Sequence, residues 1–205
     1  MDKIYYKIKE DTKYEMKIKR SIFIAHIHFA KTVEEAKDFI SKISKEHKTA
    51  NHNCWAYIVG KNGNTFHYSD AGEPSGTAGK PIYNSLTKYN LTNIVCVVTR
   101  YFGGIKLGIR GLIDAYSQST KEAVNATKIY PIVEKISWTL TTDYSFFETL
   151  KYKCLTSKAV ITKVEYTDKV TLSCEADKPK AIELDNYLKE MEHQNRINII
   201  SINEI

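Results

Sequence analysis

Glycine is absent from most of this chain. All nine glycines of its 205 residues fall between Gly60 and Gly111, with none before and none after. Glycine permits backbone conformations and close approaches that a Cβ forbids. Its confinement predicts specialised loops in one segment, residues 51–116, and regular scaffold around it. Paired cysteines are absent too. Cys54, Cys96, Cys154 and Cys174 form no C-x-x-C pair, which excludes a zinc ribbon. Nothing in the spacing of His, Cys, Asp and Glu closes a metal site, and no cofactor is expected. Isolated thiols, with Cys96 inside an apolar run, fit a reducing compartment. Apolar runs of membrane-spanning length are missing. The opening MDKIYYKIKEDTKYEMK carries acids and has no apolar core, unlike a signal or transit peptide. The expectation is a cytoplasmic protein.

What is present is a lopsided charge. Residues 1–133 hold 20 Lys and Arg against 12 Asp and Glu, a balance of +8, whereas residues 134–205 hold 10 against 12, a balance of −2. The first part could meet an anionic partner, although a solvated lysine-rich surface explains the same excess.

Periodicity divides the chain into two α+β domains, 1–133 and 134–205. In the first, residues 14–30 read as strands. Residues 33–48 read as an amphipathic helix with Val33, Ala36, Ile40 and Ile43 on one face and Thr32 as its cap. Residues 54–59 and 65–68 read as a hairpin around Gly63. A short helix over 81–89, a central apolar strand over 94–98 and a long helix over 112–126 complete the domain. The second domain reads βαββαβ, the ferredoxin-like order, with helices over 145–156 and 179–194. Each domain is expected to be a two-layer α/β sandwich.

Several stretches could carry chemistry. Gly72-Glu-Pro-Ser-Gly-Thr-Ala-Gly-Lys80-Pro81 suggests a phosphate loop. Pro74 stands where a Walker motif needs glycine, and Pro81 where it needs Ser or Thr, so nucleotide hydrolysis by this route is excluded. A Gly/Ser/Thr-rich loop entering a helix could still receive an anion on its amides, or be a rigid capped turn. Ser75 has Thr77 where a nucleophile elbow needs glycine. His52 and Cys54 share a strand face without a cysteine-protease signature around them. Arg100 and Tyr101 follow the apolar strand and lead into Gly103-Gly104-Ile105-Lys106. Arg100 could hold phosphate or carboxylate, or brace the loops by pairing with Asp70 or Glu73.

Four pieces, in order, resemble the IMPACT/YigZ family. They are Lys19-Arg20-Ser21-Ile22-Phe23-Ile24-Ala25, Ala50-Asn51-His52-Asn53-Cys54-Trp55-Ala56-Tyr57, the stretch from Ser69 through Asp70 and Lys80 to Pro81, and Val97-Val98-Thr99-Arg100-Tyr101-Phe102-Gly103-Gly104-Ile105-Lys106-Leu107-Gly108. The resemblance implies an N-terminal domain like domain four of elongation factor G and a C-terminal domain like that factor's fifth. Both comparisons point to ribosomes or RNA. It also implies a part in translational control under stress, which eukaryotic relatives exert through a protein partner. Two departures stand out. Arg110 occupies a position where relatives usually carry glycine, and Ala71 one where an acid is common. A positive φ at Arg110 would cost about 1 kcal/mol or more; in a helix's first turn it would instead add charge to a groove.

The leading expectation is a non-enzymatic, translation-associated regulator binding RNA, the ribosome or a translation-linked protein. Its basic Gly-rich groove would be formed by His52, Asp70, Glu73, Ser75, Thr77, Lys80, Arg100, Tyr101, Lys106 and Arg110. One alternative is a hydrolase of a small anionic or peptide substrate using His52, Asp70 and Glu73. Another is a pure protein-interaction module.

Overall fold

A computed structural model describes residues 4–204. The chain divides into two compact units, Met1–Ile132 and Val133–Ile205.

The N-terminal unit is built on a five-stranded antiparallel sheet. Its strands are β2 (Thr12–Ile18), β3 (Ser21–Phe29), β4 (His52–Val59), β5 (Thr65–Ser69) and β6 (Ile94–Tyr101), in the order β2-β3-β6-β4-β5. A short ribbon pairs β1 (Tyr6–Ile8) with β7 (Ile129–Pro131). Three helices cover the sheet: α1 (Val33–Glu46), α2 (Gly79–Lys88) and α3 (Gly108–Asn125). The apolar run of β6 is central, and alternate residues serve two cores. Ile94, Cys96 and Val98 pack with α2 and α3, while Val95 and Val97 join the α1 side. Thus α1 adds cover on the second face, which is why β6 is apolar throughout rather than alternating. Thr32 caps α1 as expected: its hydroxyl accepts from Glu35 N at 3.1 Å, and Glu35 reaches back to Lys31 N. Two expected bounds move by three residues or more. The strand over 94–98 continues to Tyr101, and the helix over 112–126 begins at Gly108.

The C-terminal unit runs β8 (Lys135–Thr142), α4 (Tyr144–Thr156), β9 (Val160–Tyr166), β10 (Val170–Asp177), α5 (Lys178–His193) and β11 (Ile197–Glu204), with sheet order β11-β8-β10-β9. That order is ferredoxin-like. Its core includes Trp138, Leu140, Leu150, Leu172, Leu184 and Leu188. Trp138 anchors α5 by donating its indole N–H to Asp185 at 3.0 Å.

On the α1 face, His26 and His47 meet edge to face, ring centroids 5.1 Å apart, and the Nε2 of each is buried without a hydrogen-bond partner, that of His47 lying 3.9 Å from Glu46 Oε1. Burial, helped by His47 and Lys13 and opposed by Glu46, lowers the His26 pKa to about 4 from 6.5. Unfolded, His26 takes up its proton near pH 6.5; folded, only near pH 4. Between those values the unfolded chain binds more protons, so stability falls as pH falls through this window. The cost reaches about 3 kcal/mol at the acid end. Urea titrations at pH 7 and pH 4 will show His26→Leu losing less stability than wild type by about that amount. Equal acid losses in the two proteins reject the assignment.

Candidate functional site

Strand register gathers all four signature stretches at one end of the N-terminal sheet. Ile22 pairs with Tyr101, His52 with Arg100, and Trp55 with Ser69. The β2–β3 turn, the entry to β4, the loop after β5 and the loop after β6 therefore converge. Both α2 and α3 start from this end, directly after the last two loops.

The loop of residues 70–79 is organised by Asp70. Its Oδ2 accepts from Gly76 N at 2.8 Å, and its Oδ1 accepts from Ala78 N and Gly79 N at 2.9 Å each. Burial alone would raise the Asp70 pKa, but these three amides outweigh it and hold it below the usual value. The amides that could have cradled a phosphate are thus taken by the chain's own carboxylate, and the loop is a capped turn. A Cβ on Gly79 would lie 2.7–2.8 Å from the Ser69 backbone, so this glycine lets helix and strand touch.

Glu73 and Arg100 form the buried centre. Their side chains are 3% and 7% exposed, and Arg100 Nη1 donates to Glu73 Oε1 at 2.6 Å. Tyr116 Oη donates to the same oxygen at 2.8 Å. The guanidinium also lies near the rings of Phe23 and Phe102, at 5.5 and 5.3 Å. The Cys54 thiol donates to Asp70 O at 2.9 Å and lies 3.4 Å from Tyr116 Oη. Burial pushes its pKa up to about 12, so Cys54 is a neutral thiol and no nucleophile. Arg100 therefore braces the loops through Glu73, with its Nε buried and without a hydrogen-bond partner. Tyr116 is a member of this buried network that sequence reasoning did not place here. The available signal was a tyrosine on the core face of α3, since a buried hydroxyl needs a partner.

The remaining predicted residues separate. His52 Nδ1 donates to Ala71 O at 3.0 Å, holding β4 to the loop. Thr77 is buried, its hydroxyl donating to Pro74 O at 2.6 Å. Tyr101 faces away from Arg100, because neighbours on a strand point to opposite faces; its hydroxyl meets His47 Nδ1 at 2.9 Å. Ser75, Lys80, Lys106 and Arg110 are exposed. The groove expected from ten residues is thus divided between a buried bracing network, a contact on the far face of the sheet, and exposed polar and charged groups. Among the described residues no group of three or more His, Cys, Asp or Glu could hold a metal, and no helix is long and apolar enough to cross a membrane.

The sequence model of the Impact N-terminal domain matches residues 19–124, which contain this whole site. The IMPACT family member YvyE of Bacillus subtilis is 35% identical over 91% of this chain and 86% of its own. The chain belongs to the IMPACT family. A second IMPACT family member, from Haemophilus influenzae, is 38% identical over 69% of each chain. A crystal structure described as that of a hypothetical protein superposes over 99% of both chains with a TM-score of 0.66 and 27% identity. Both units of this IMPACT protein therefore have a counterpart in one solved chain.

Arg110 is resolved by the same geometry. It is the third residue of α3, with no positive φ; the left-handed position is Gly108, at φ 74°. Its substitution for glycine carries no backbone strain. It does put a cation in the first turn of a helix that has neither an acidic residue there nor a side-chain cap. The helix dipole disfavours that charge by about 0.5 kcal/mol. Arg110→Glu will raise the unfolding free energy by up to about 1 kcal/mol, measured in urea at low salt. A destabilised variant refutes this reading.

Proposed function

We propose that this IMPACT protein is a translation-associated regulator that acts by binding, and that RNA or the ribosome meets the exposed cations of its N-terminal unit. The carrying observation is how differently the two units treat positive charge. Among the described lysines and arginines of the N-terminal unit, Arg100 alone is ion-paired with a carboxylate. In the C-terminal unit eight lysines are so paired. Unpaired cations, including Lys80, Lys106 and Arg110 at the signature end, are the arrangement that neutralises phosphates and releases counterions. Family membership supplies the link to translation, as the resemblance to eukaryotic relatives implies. Against the hydrolase reading stand the groups it needs: Asp70 is held by three backbone amides, and Glu73 Oε1 accepts from both Arg100 and Tyr116.

Sedimentation with ribosomes at low salt provides the test. Wild type will co-sediment and be released as salt rises, and Lys80→Ala/Lys106→Ala/Arg110→Ala will be released at lower salt. All three substitutions are at exposed positions, so folding is preserved. Failure of wild type to sediment with ribosomes or to retain RNA removes the proposal.

A further inference from the structure

A cavity of about 720 Å³ lies between α2 and α3, bordered by the β2–β3 turn. None of the buried bracing network lines it. Its size falls within the range of small-molecule sites. Lys19, Lys88 and Lys121 reach it from three different elements, and one carboxylate, Asp114, stands among them. Among the described residues none of these four side chains has a hydrogen-bond or ion-pair partner. Ile18 and Leu107 supply apolar wall, and Tyr89 supplies an aromatic one. The Tyr89 ring is fixed, because its hydroxyl donates to Asn125 Oδ1 at 3.0 Å.

The geometry points to a binding site for a nucleoside phosphate between α2 and α3. The lysines offer point charges for the phosphate. The Tyr89 ring and the apolar wall offer a face for the base. Asp114 decides the class of ligand. A carboxylate among three lysines repels a bare polyanion, but it accepts hydrogen bonds from ribose hydroxyls or an exocyclic amine. A ligand carrying an anionic group at one end and hydroxyl or amine donors at the other satisfies all four charges. The nucleotide can be free, or it can be one residue of an RNA chain threading the groove. This site goes beyond the ribosome-binding reading and uses none of the cations tested for it.

Calorimetric titration of the full chain with 5′-AMP, 5′-UMP and a single-stranded RNA 12-mer tests the inference, with inorganic phosphate as competitor. Wild type will bind at least one of these nucleotide probes, and phosphate at equal concentration will not displace it. Lys88→Gln/Lys121→Gln will weaken binding tenfold or more, and Asp114→Asn will weaken it less. Lys80→Ala/Lys106→Ala/Arg110→Ala will leave it unchanged. Binding of the mononucleotides identifies a free nucleotide as ligand. Binding of the 12-mer alone identifies a residue of RNA, and the double variant will then lower the salt slope by about 1.4, as expected for two phosphate contacts on a single strand. No binding by any nucleotide probe, affinity unaltered in Lys88→Gln/Lys121→Gln, or equal displacement by phosphate overturns the site. Loss of ribosome sedimentation with nucleotide binding intact, or the reverse, separates this inference from the ribosome reading.

Discussion

Glu73→Ala will destabilise the N-terminal unit by about 3–5 kcal/mol, and Arg100→Ala will do the same. The size follows from burial. With both side chains almost wholly out of water, removing one leaves an uncompensated charge in a site built for a pair. Each single loss also strands a neighbour: without Glu73 the Tyr116 hydroxyl loses its acceptor, and without Arg100 the carboxylate keeps only Tyr116. The double variant Glu73→Gln/Arg100→Met separates pair energy from packing. The introduced amide oxygen still accepts from Tyr116, and the introduced thioether chain fills space beside Phe23. The double variant will therefore be more stable than Arg100→Met alone, with a favourable coupling of at least about 1 kcal/mol in the cycle whose single variants are Glu73→Gln and Arg100→Met. Urea unfolding followed by far-UV circular dichroism measures it. Single-variant losses below about 1 kcal/mol, the range of exposed pairs, contradict the buried pair. The consequence for function is direct. An Arg100 variant that fails to bind a partner has lost the loop scaffold, so the exposed cations Lys80, Lys106 and Arg110 are the ones whose substitution reports on contact.

Much of this fold is legible in the sequence, because its elements obey local rules. The capped helix α1 announces itself by Thr32 with Glu35 three positions on, the hairpin by Gly63, and the C-terminal unit by clean periods of 2 and 3.6. What stayed hidden is long-range. The amides of residues 76–79 look equally ready for phosphate or for a side chain, and only the fold returns Asp70 to them. The pairing of Arg100 with Glu73 rather than Asp70 is of the same kind. Tyr101 is a different case. Extending the strand three residues past Val98 would have assigned Arg100 and Tyr101 to opposite faces from parity alone. The apolar segment alone does not mark that end, because Thr99 and Arg100 are polar yet buried. The α2–α3 cavity was invisible for the opposite reason: Lys19, Lys88 and Lys121 are far apart in sequence and belong to no common motif.

Gly103→Ala will cost about 4 kcal/mol, from overpacking of about 3 and a weakened hydrogen bond of about 1. A Cβ at this position would sit 2.1 Å from the Arg20 carbonyl carbon and oxygen and 2.5 Å from Ser21 N. These are backbone atoms, so no rotamer change relieves the clash. The structure against which Gly103 packs is already unusual. Lys19 and Arg20 form the β2–β3 turn with φ of 43° and 69°, where hairpins of this type favour Asn-Gly. Neither residue has glycine's freedom, and the turn is held from outside, with Gly103 N donating to Ser21 Oγ at 3.2 Å. Pushing the two apart releases a strained turn that carries Lys19 into the α2–α3 cavity. Gly103→Ala should thus combine lower stability with weaker nucleotide binding. The variant Lys19→Asn/Arg20→Gly should relax the turn and gain about 1 kcal/mol while losing the Lys19 contact. Urea unfolding of both variants beside wild type decides the matter. A Gly103→Ala variant within about 1 kcal/mol of wild type would mean that the signature loop does not lie against the β2–β3 turn.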